Sequence, residues 1–183
     1  MINQTNLRMR LIVLIAVSTG MRSAEIHRLR WSDVRYGEGL LAVRSKLKGG
    51  ETRYVPMSLE LAEEIRRYPS EIGQDRIFPP KGGPKSKRQR LEGSFDDLLK
   101  RAKIREFWFH DLRHTFGSWY MMNGGDLYEL AKLLGHANIK MTERYAKLAK
   151  AHIIKTGNTA KLIWNMLEDR APEKQEGGKA NIA

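Results

Sequence analysis

Every side chain from Leu11 to Val17 is apolar, and this run constrains the fold more than any other stretch. It is far too short to cross a bilayer, which takes ~20 such residues. As helix it makes about two turns that are apolar on most faces, and such a helix must have protein around nearly all of it. The pattern predicts a buried helix over 6–18, closed by Gly20, since glycine tolerates the left-handed backbone of a helix C-terminus. Arg8 and Arg10 precede the run and 16–18 is a small-x-small triplet, as in a secretory leader. The apolar core overlaps that triplet and sits at the short limit, so the expected location is the cytoplasm, with no membrane partner.

A helix of this kind needs a core around it, and 183 residues with 41% hydrophobic side chains suffice for one domain. Lys+Arg is 33 against 21 Asp+Glu, a formal charge of +12. That excess points to a polyanionic partner, with nucleic acid ahead of an anionic membrane surface. The absence of cysteine excludes disulfide scaffolds, thiolate zinc sites and cysteine nucleophiles.

Ile26 and Leu29 predict a second helix over 23–31. Strands are expected over 40–44 and 53–57, joined by a turn at Lys48-Gly49-Gly50-Glu51. Ser58 is placed to cap a helix reaching Arg67, with Glu60, Glu63 and Glu64 in its first turns. Prolines and glycines from Pro79 onward, then Lys85, Lys87, Arg88 and Arg90, read as an exposed basic loop and a candidate DNA contact. Further helices are expected over 91–102, 110–123, 127–134, 142–149 and 160–167, with Leu112, Phe116, Trp119 and Tyr120 on the apolar side of the second of these. The fold class is therefore mixed α+β, mainly α-helical, with a small antiparallel sheet. Residues 1–168 form the domain, and 169–183 are a polar tail expected to be disordered.

Among candidate sites, His110 and Arg113 fall three apart on one helical face. An imidazole beside a guanidinium suits gripping and protonating a phosphate. The same spacing recurs at His27 and Arg30, so alone it is weak. His110 and His114 also have the spacing of a zinc helix, with His136 as the third ligand that reading needs. Asp111, however, stands where a metalloprotease has its glutamate, and zinc hydrolysis leaves the positive charge unexplained. Arg22 opens a helix beyond Gly20 and faces Glu25, so it is either an anion contact or an ordinary surface pair. Lys46, Lys48 and Arg53 lie on the hairpin, where the lysines either guard an edge strand or present one ammonium at the turn to a phosphate oxygen. Tyr145 needs nearby cations or a base to act as a nucleophile.

As an ordered set these residues resemble the catalytic domain of the tyrosine recombinase, or phage integrase, family. The signature is an Arg after Thr-Gly-x, a Lys in a β-hairpin turn, His-x-x-Arg, a His or Trp after Leu-Gly, and a Tyr nine residues further on. Arg22, Lys48, His110 with Arg113, Leu134-Gly135-His136 and Tyr145 match it in order and spacing. The resemblance runs from about Leu11 to Lys150 and outweighs both the zinc reading and the His27/Arg30 pair.

The resemblance implies site-specific DNA recombination and integration. Tyr145 would attack a phosphodiester, leaving a 3′-phosphotyrosyl bond and a free 5′-hydroxyl. Arg22 and Arg113 would hold the non-bridging oxygens, with His136 as a further donor. Lys48, chosen over Lys46 because it sits at the turn, would protonate the leaving oxygen. His110 would accept the Tyr145 proton or orient the phosphate, and Glu25 would support Arg22 or His110. No metal or other cofactor is required. The implied partners are double-stranded DNA and further recombinase subunits, as a tetramer in the synaptic complex, with the isolated domain monomeric and encoded by a prokaryote or phage. Family members usually carry an N-terminal DNA-binding domain, expected to be absent here because the match begins about ten residues after Met1. A domain that holds DNA without cutting it is the rival binding reading.

Overall fold

The computed structural model describes residues 4–45, 50–70, 73–79 and 89–149. Helix α1 (Gln4–Thr19) runs through the middle of the main core. Leu11, Ile12, Ile15 and Ala16 are buried on it, and Val13, Leu14 and Val17 pack partly buried around them, as an all-round apolar helix requires. Gly20 ends α1 at φ +65°. A Cβ there would stand 2.5 Å from the Phe116 ring and 2.7 Å from Leu134, so glycine serves both the turn and the close approach of two later helices.

Helix α2 (Ser23–Ile26) is shorter than the expected 23–31. Beyond it, Leu29 O accepts from Ile77 N and the Trp31 N–H donates to Asp75 O, so a distant segment claims the backbone groups a longer helix would use. A 3₁₀ turn at Trp31–Asp33 leads into β1 (Val34–Arg35), which the sequence did not announce. Strands β2 (Leu40–Val43) and β3 (Arg53–Pro56) complete an antiparallel sheet of order β1-β2-β3, with Leu41 opposite Val55. The expected turn between β2 and β3, with Lys46 and Lys48, lies outside the described residues.

Helix α3 (Leu59–Arg67) is capped as expected, Ser58 Oγ accepting from Leu61 N. Helix α4 (Gln89–Arg101) buries Phe95 and Leu99 in the core. It begins early enough to take Arg90 into its first turn, whereas Lys85, Lys87 and Arg88 lie outside the described residues. Helix α5 (Phe109–Met122) lies along α1 and buries Leu112 and Met121. Trp119 departs from expectation: it is 67% exposed. α5 carries apolar side chains on more faces than its neighbours cover, and Trp119 is on the uncovered one. Helix α6 (Leu127–Leu134) is capped by Asp126 and ends at Gly135 in the left-handed region.

Two short 3₁₀ segments follow, Ile139–Met141 and Glu143–Ala149, the second where an α-helix was expected. Met121, Leu130, Leu134 and Tyr145 form a second, smaller cluster beneath α5 and α6. The expected helix over 160–167 and the tail over 169–183 lie outside the described residues. No helix among the described residues is long and apolar enough to cross a membrane.

Candidate active site

The end of α6 is the anchor. Its last carbonyls have no partner inside the helix, and three arginines from elsewhere in the chain take them. Arg113 on α5 donates to Leu134 O at 2.7 Å and to Gly20 O at 2.8 Å. Arg22, at the start of α2, donates to the same Leu134 O at 3.2 Å and to Gly135 O at 3.3 Å. Arg53 on β3 donates from Nε to Leu133 O at 2.9 Å. Two guanidiniums thus share one carbonyl oxygen, which holds them within the span of one small anion.

Glu25 is the counter-charge. It accepts from both Arg53 terminal nitrogens at 3.0 and 2.8 Å and from Arg22 Nη1 at 3.2 Å. Its Oε2 also accepts from the Arg22 backbone N–H at 2.8 Å. Burial pushes its carboxyl up, but bonds and charge from Arg53, and then Arg22, outweigh that and hold it below the usual range. One carboxylate does not neutralise the surrounding cations. Arg113 is only 3% exposed, and that burial, followed by Arg22, brings it down to about 10. Burial and then Arg113, Arg22, Arg144 and Arg53 push His136 down to about 4. An anion placed among these cations would relieve that penalty.

His136 follows the Gly135 cap, and its Nδ1 meets Oγ1 of fully buried Thr142 at 2.8 Å. With Nδ1 accepting from that hydroxyl, Nε2 bears the proton and can donate a hydrogen bond. Tyr145 is 4% exposed and lies against α5, where Gly117 makes room for it. A Cβ on Gly117 would stand 2.9 Å from Tyr145 Cζ. The phenol oxygen lies 2.6 Å from His114 Nδ1. His110 is exposed and meets His114 edge to face, ring centroids 4.9 Å apart.

The structure therefore brings Arg22, Glu25, His110, Arg113, His136 and Tyr145 into one cluster. Arg53, Thr142, His114 and Gly117 join it without having been singled out for these roles. Arg53 and Thr142 carry no signal in the sequence beyond their type, and His114 stood out only as a zinc candidate. Arg30 of the competing pair instead binds Asp75. Among the described residues no group of three His, Cys, Asp or Glu side chains converges as a metal site requires. Lys48, Lys85, Lys87 and Arg88 lie outside the described residues, and Arg90 is in the first turn of α4.

Comparison with known proteins gives the same direction. The family model described as "Phage integrase family" matches residues 1–152. Tyrosine recombinase XerA of Thermococcus kodakarensis is 33% identical over 167 residues, 89% of this chain and 59% of that protein. Tyrosine recombinase XerC of Xanthomonas campestris pv. campestris is 30% identical over 84% of this chain and 48% of its own length. The chain thus spans about half to three fifths of the relatives it matches. The catalytic domain of bacteriophage HP1 integrase superposes with a TM-score of 0.61 at 33% identity, over 81% of this chain and 79% of that one. A XerA recombinase gives 0.67 at 29%, over 85% and 58%. A XerH site-specific recombinase bound to its difH substrate, at 22% identity and a TM-score of 0.67, shares the fold over 80% of this chain and 44% of that one.

Proposed function

We propose, from the premise that the chain belongs to the phage integrase family, that it is the catalytic domain of a site-specific DNA recombinase. The observation that carries this is the shared anchor: Arg22 and Arg113 both donate to Leu134 O, beside a buried tyrosine, in a cluster with more cations than carboxylates.

In this reading the anion is a DNA phosphodiester. Charge that grows on its non-bridging oxygens is met by Arg22, Arg113 and Nε2 of His136, all fixed before the reaction begins. Tyr145 attacks phosphorus, giving a 3′-phosphotyrosyl link and releasing a 5′-hydroxyl. Lys48 protonates the leaving oxygen, with Lys46 as its competitor for that role. His110, exposed beside His114, orients the phosphate. Glu25 positions Arg22. The link conserves the energy of the broken bond, so a 5′-hydroxyl from a partner strand can reverse the step without ATP, and the scheme calls on no metal. The partner is double-stranded DNA, bound in part through Lys85, Lys87, Arg88 and Arg90, with further subunits assembling on it as a tetramer. Work on DNA inside a prokaryotic cell, chromosomal or phage-borne, places the protein in the cytoplasm.

A DNA duplex nicked close to the cleavage position tests the reading, because loss of the short fragment traps the intermediate. Wild-type protein should give a covalent protein–DNA adduct on a denaturing gel. Tyr145→Phe removes only the phenol oxygen, so it should bind DNA and unfold normally while giving no adduct. DNA binding without any adduct in the wild type would favour the binding-module reading.

A further inference from the structure

We propose that His114 is a catalytic residue of this site, its Nδ1 accepting the phenolic proton of Tyr145 as the tyrosine oxygen attacks phosphorus. The inference rests on the phosphoryl-transfer reading above and adds the group that reading lacks. The phenol oxygen and His114 Nδ1 are 2.6 Å apart, within direct proton-transfer distance. The other histidines are worse placed. His136 has its Nδ1 engaged with Thr142, and the reading above assigns its other nitrogen to the phosphate. His110 contacts the imidazole of His114, one turn along α5.

A base in contact is also what this tyrosine needs. Burial raises the phenol above its ordinary value, and Arg144 and Arg113 pull it only partly back, so no phenolate forms in advance. The proton must leave as the bond to phosphorus forms. His114 is available for it. Burial first, then Arg144 and Arg113, hold the imidazole below its usual range, while Asp111 opposes them. The groups facing it are His110, Asp111 and Arg113 on α5 and Arg144 and Tyr145 on the 3₁₀ segment Glu143–Ala149. With the ring neutral at neutral pH, an accepting Nδ1 puts the resident proton on Nε2.

The step balances. The Oη–H electron pair stays on oxygen and its proton passes to Nδ1. The Oη–P bond forms as P–O5′ breaks, and the O5′ pair takes up a proton from Lys48. Religation returns both protons by the same route.

The test uses the nicked duplex over pH 5 to 9. His114→Asn is the informative variant: its amide can keep a bond to Tyr145 but cannot take up a proton. Adduct formation should fall ~10²–10⁴-fold, the usual worth of a positioned base, and the wild type's loss of rate at acid pH should disappear. A second readout needs no activity. In Tyr145→Phe the hydroxyl that stabilises neutral His114 is gone, so the His114 ring, followed by NMR, should titrate at higher pH than in wild type. Should His114→Asn cleave as fast as wild type, or faster, the bond merely stores Tyr145 and the proposal is overturned; unchanged His114 titration in Tyr145→Phe overturns it too. A wild type that forms no adduct overturns both readings, whereas adduct in the wild type with undiminished His114→Asn overturns this one alone.

Discussion

Gly117 shows how much of the site rests on an atom that is missing. The Tyr145 ring lies flat enough on α5 that a Cβ at position 117 would be 2.9, 3.0 and 3.2 Å from Cζ, Cε1 and Cε2. The ring would have to move by a few tenths of an ångström, which disturbs the 2.6 Å contact of its hydroxyl with His114. Gly117→Ala gains ~1 kcal/mol of helix propensity and loses ~1–3 kcal/mol to overpacking. Its thermal unfolding should therefore shift little. Catalysis is less forgiving, since a misplacement of the order of 1 Å can cost ~10²-fold. The expected outcome is a folded protein whose adduct forms more slowly on the nicked duplex, by less than ~10²-fold because the displacement is a fraction of an ångström. Wild-type rates in Gly117→Ala would mean that the ring position in this structure does not matter to the reaction.

Between elements, the end of α6 is held by a strand. Arg53 reaches from β3 to Leu133 O and forks both oxygens of Glu25, while a Cβ at Gly135 would stand 3.1 Å from its Nη1. Lysine offers a point charge and cannot reproduce three bonds in one plane. Arg53→Lys should lower stability in urea by ~1.5–3 kcal/mol, the range for a bond to a charged group. It should also slow adduct formation, because the same turn carries His136. Equal stability and rate in Arg53→Lys would show that the turn holds itself. This joint also marks where the sequence stops being legible. The all-apolar α1, the Ser58-capped α3 and the Gly135-ended α6 were readable because period and caps are local signals. The ordered motif residues were readable through the family resemblance, not through any contact between them. α2 was read too long because its stop is a backbone pairing with 75–77 that leaves no local trace. The partnership of Arg53 with Glu25 and of His114 with Tyr145 is likewise a product of tertiary packing, invisible to spacing.

At the scale of the molecule, the proposed nucleophile and the proposed phosphate grip are held together within one chain, and their geometry bears on which subunit's tyrosine cleaves. His136, in the proposed grip, and Tyr145, the proposed nucleophile, are nine residues apart, a stretch that fully extended could reach ~30 Å. It is not extended. It winds through two 3₁₀ segments, and Thr142 is pinned to His136 itself. Tyr145 then meets His114 and Gly117 of its own α5. For a neighbouring subunit to receive this tyrosine, the 3₁₀ segments would have to unwind, and the bonds to His114 and Thr142 would break. Each subunit on DNA should therefore cleave with its own tyrosine. Mixing two inactive proteins decides it. Arg22→Ala keeps the tyrosine but lacks part of the grip, and Arg22 is exposed enough, at 37% of its side chain, to be removed without opening the core. Tyr145→Phe keeps the grip but lacks the nucleophile. Cleavage within one chain leaves every subunit of the mixture defective, so adduct should stay at the level of the two proteins measured apart. If the mixture instead regains a substantial fraction of wild-type adduct, the tyrosine crosses between subunits, and the docked position against α5 is its resting place rather than its working one.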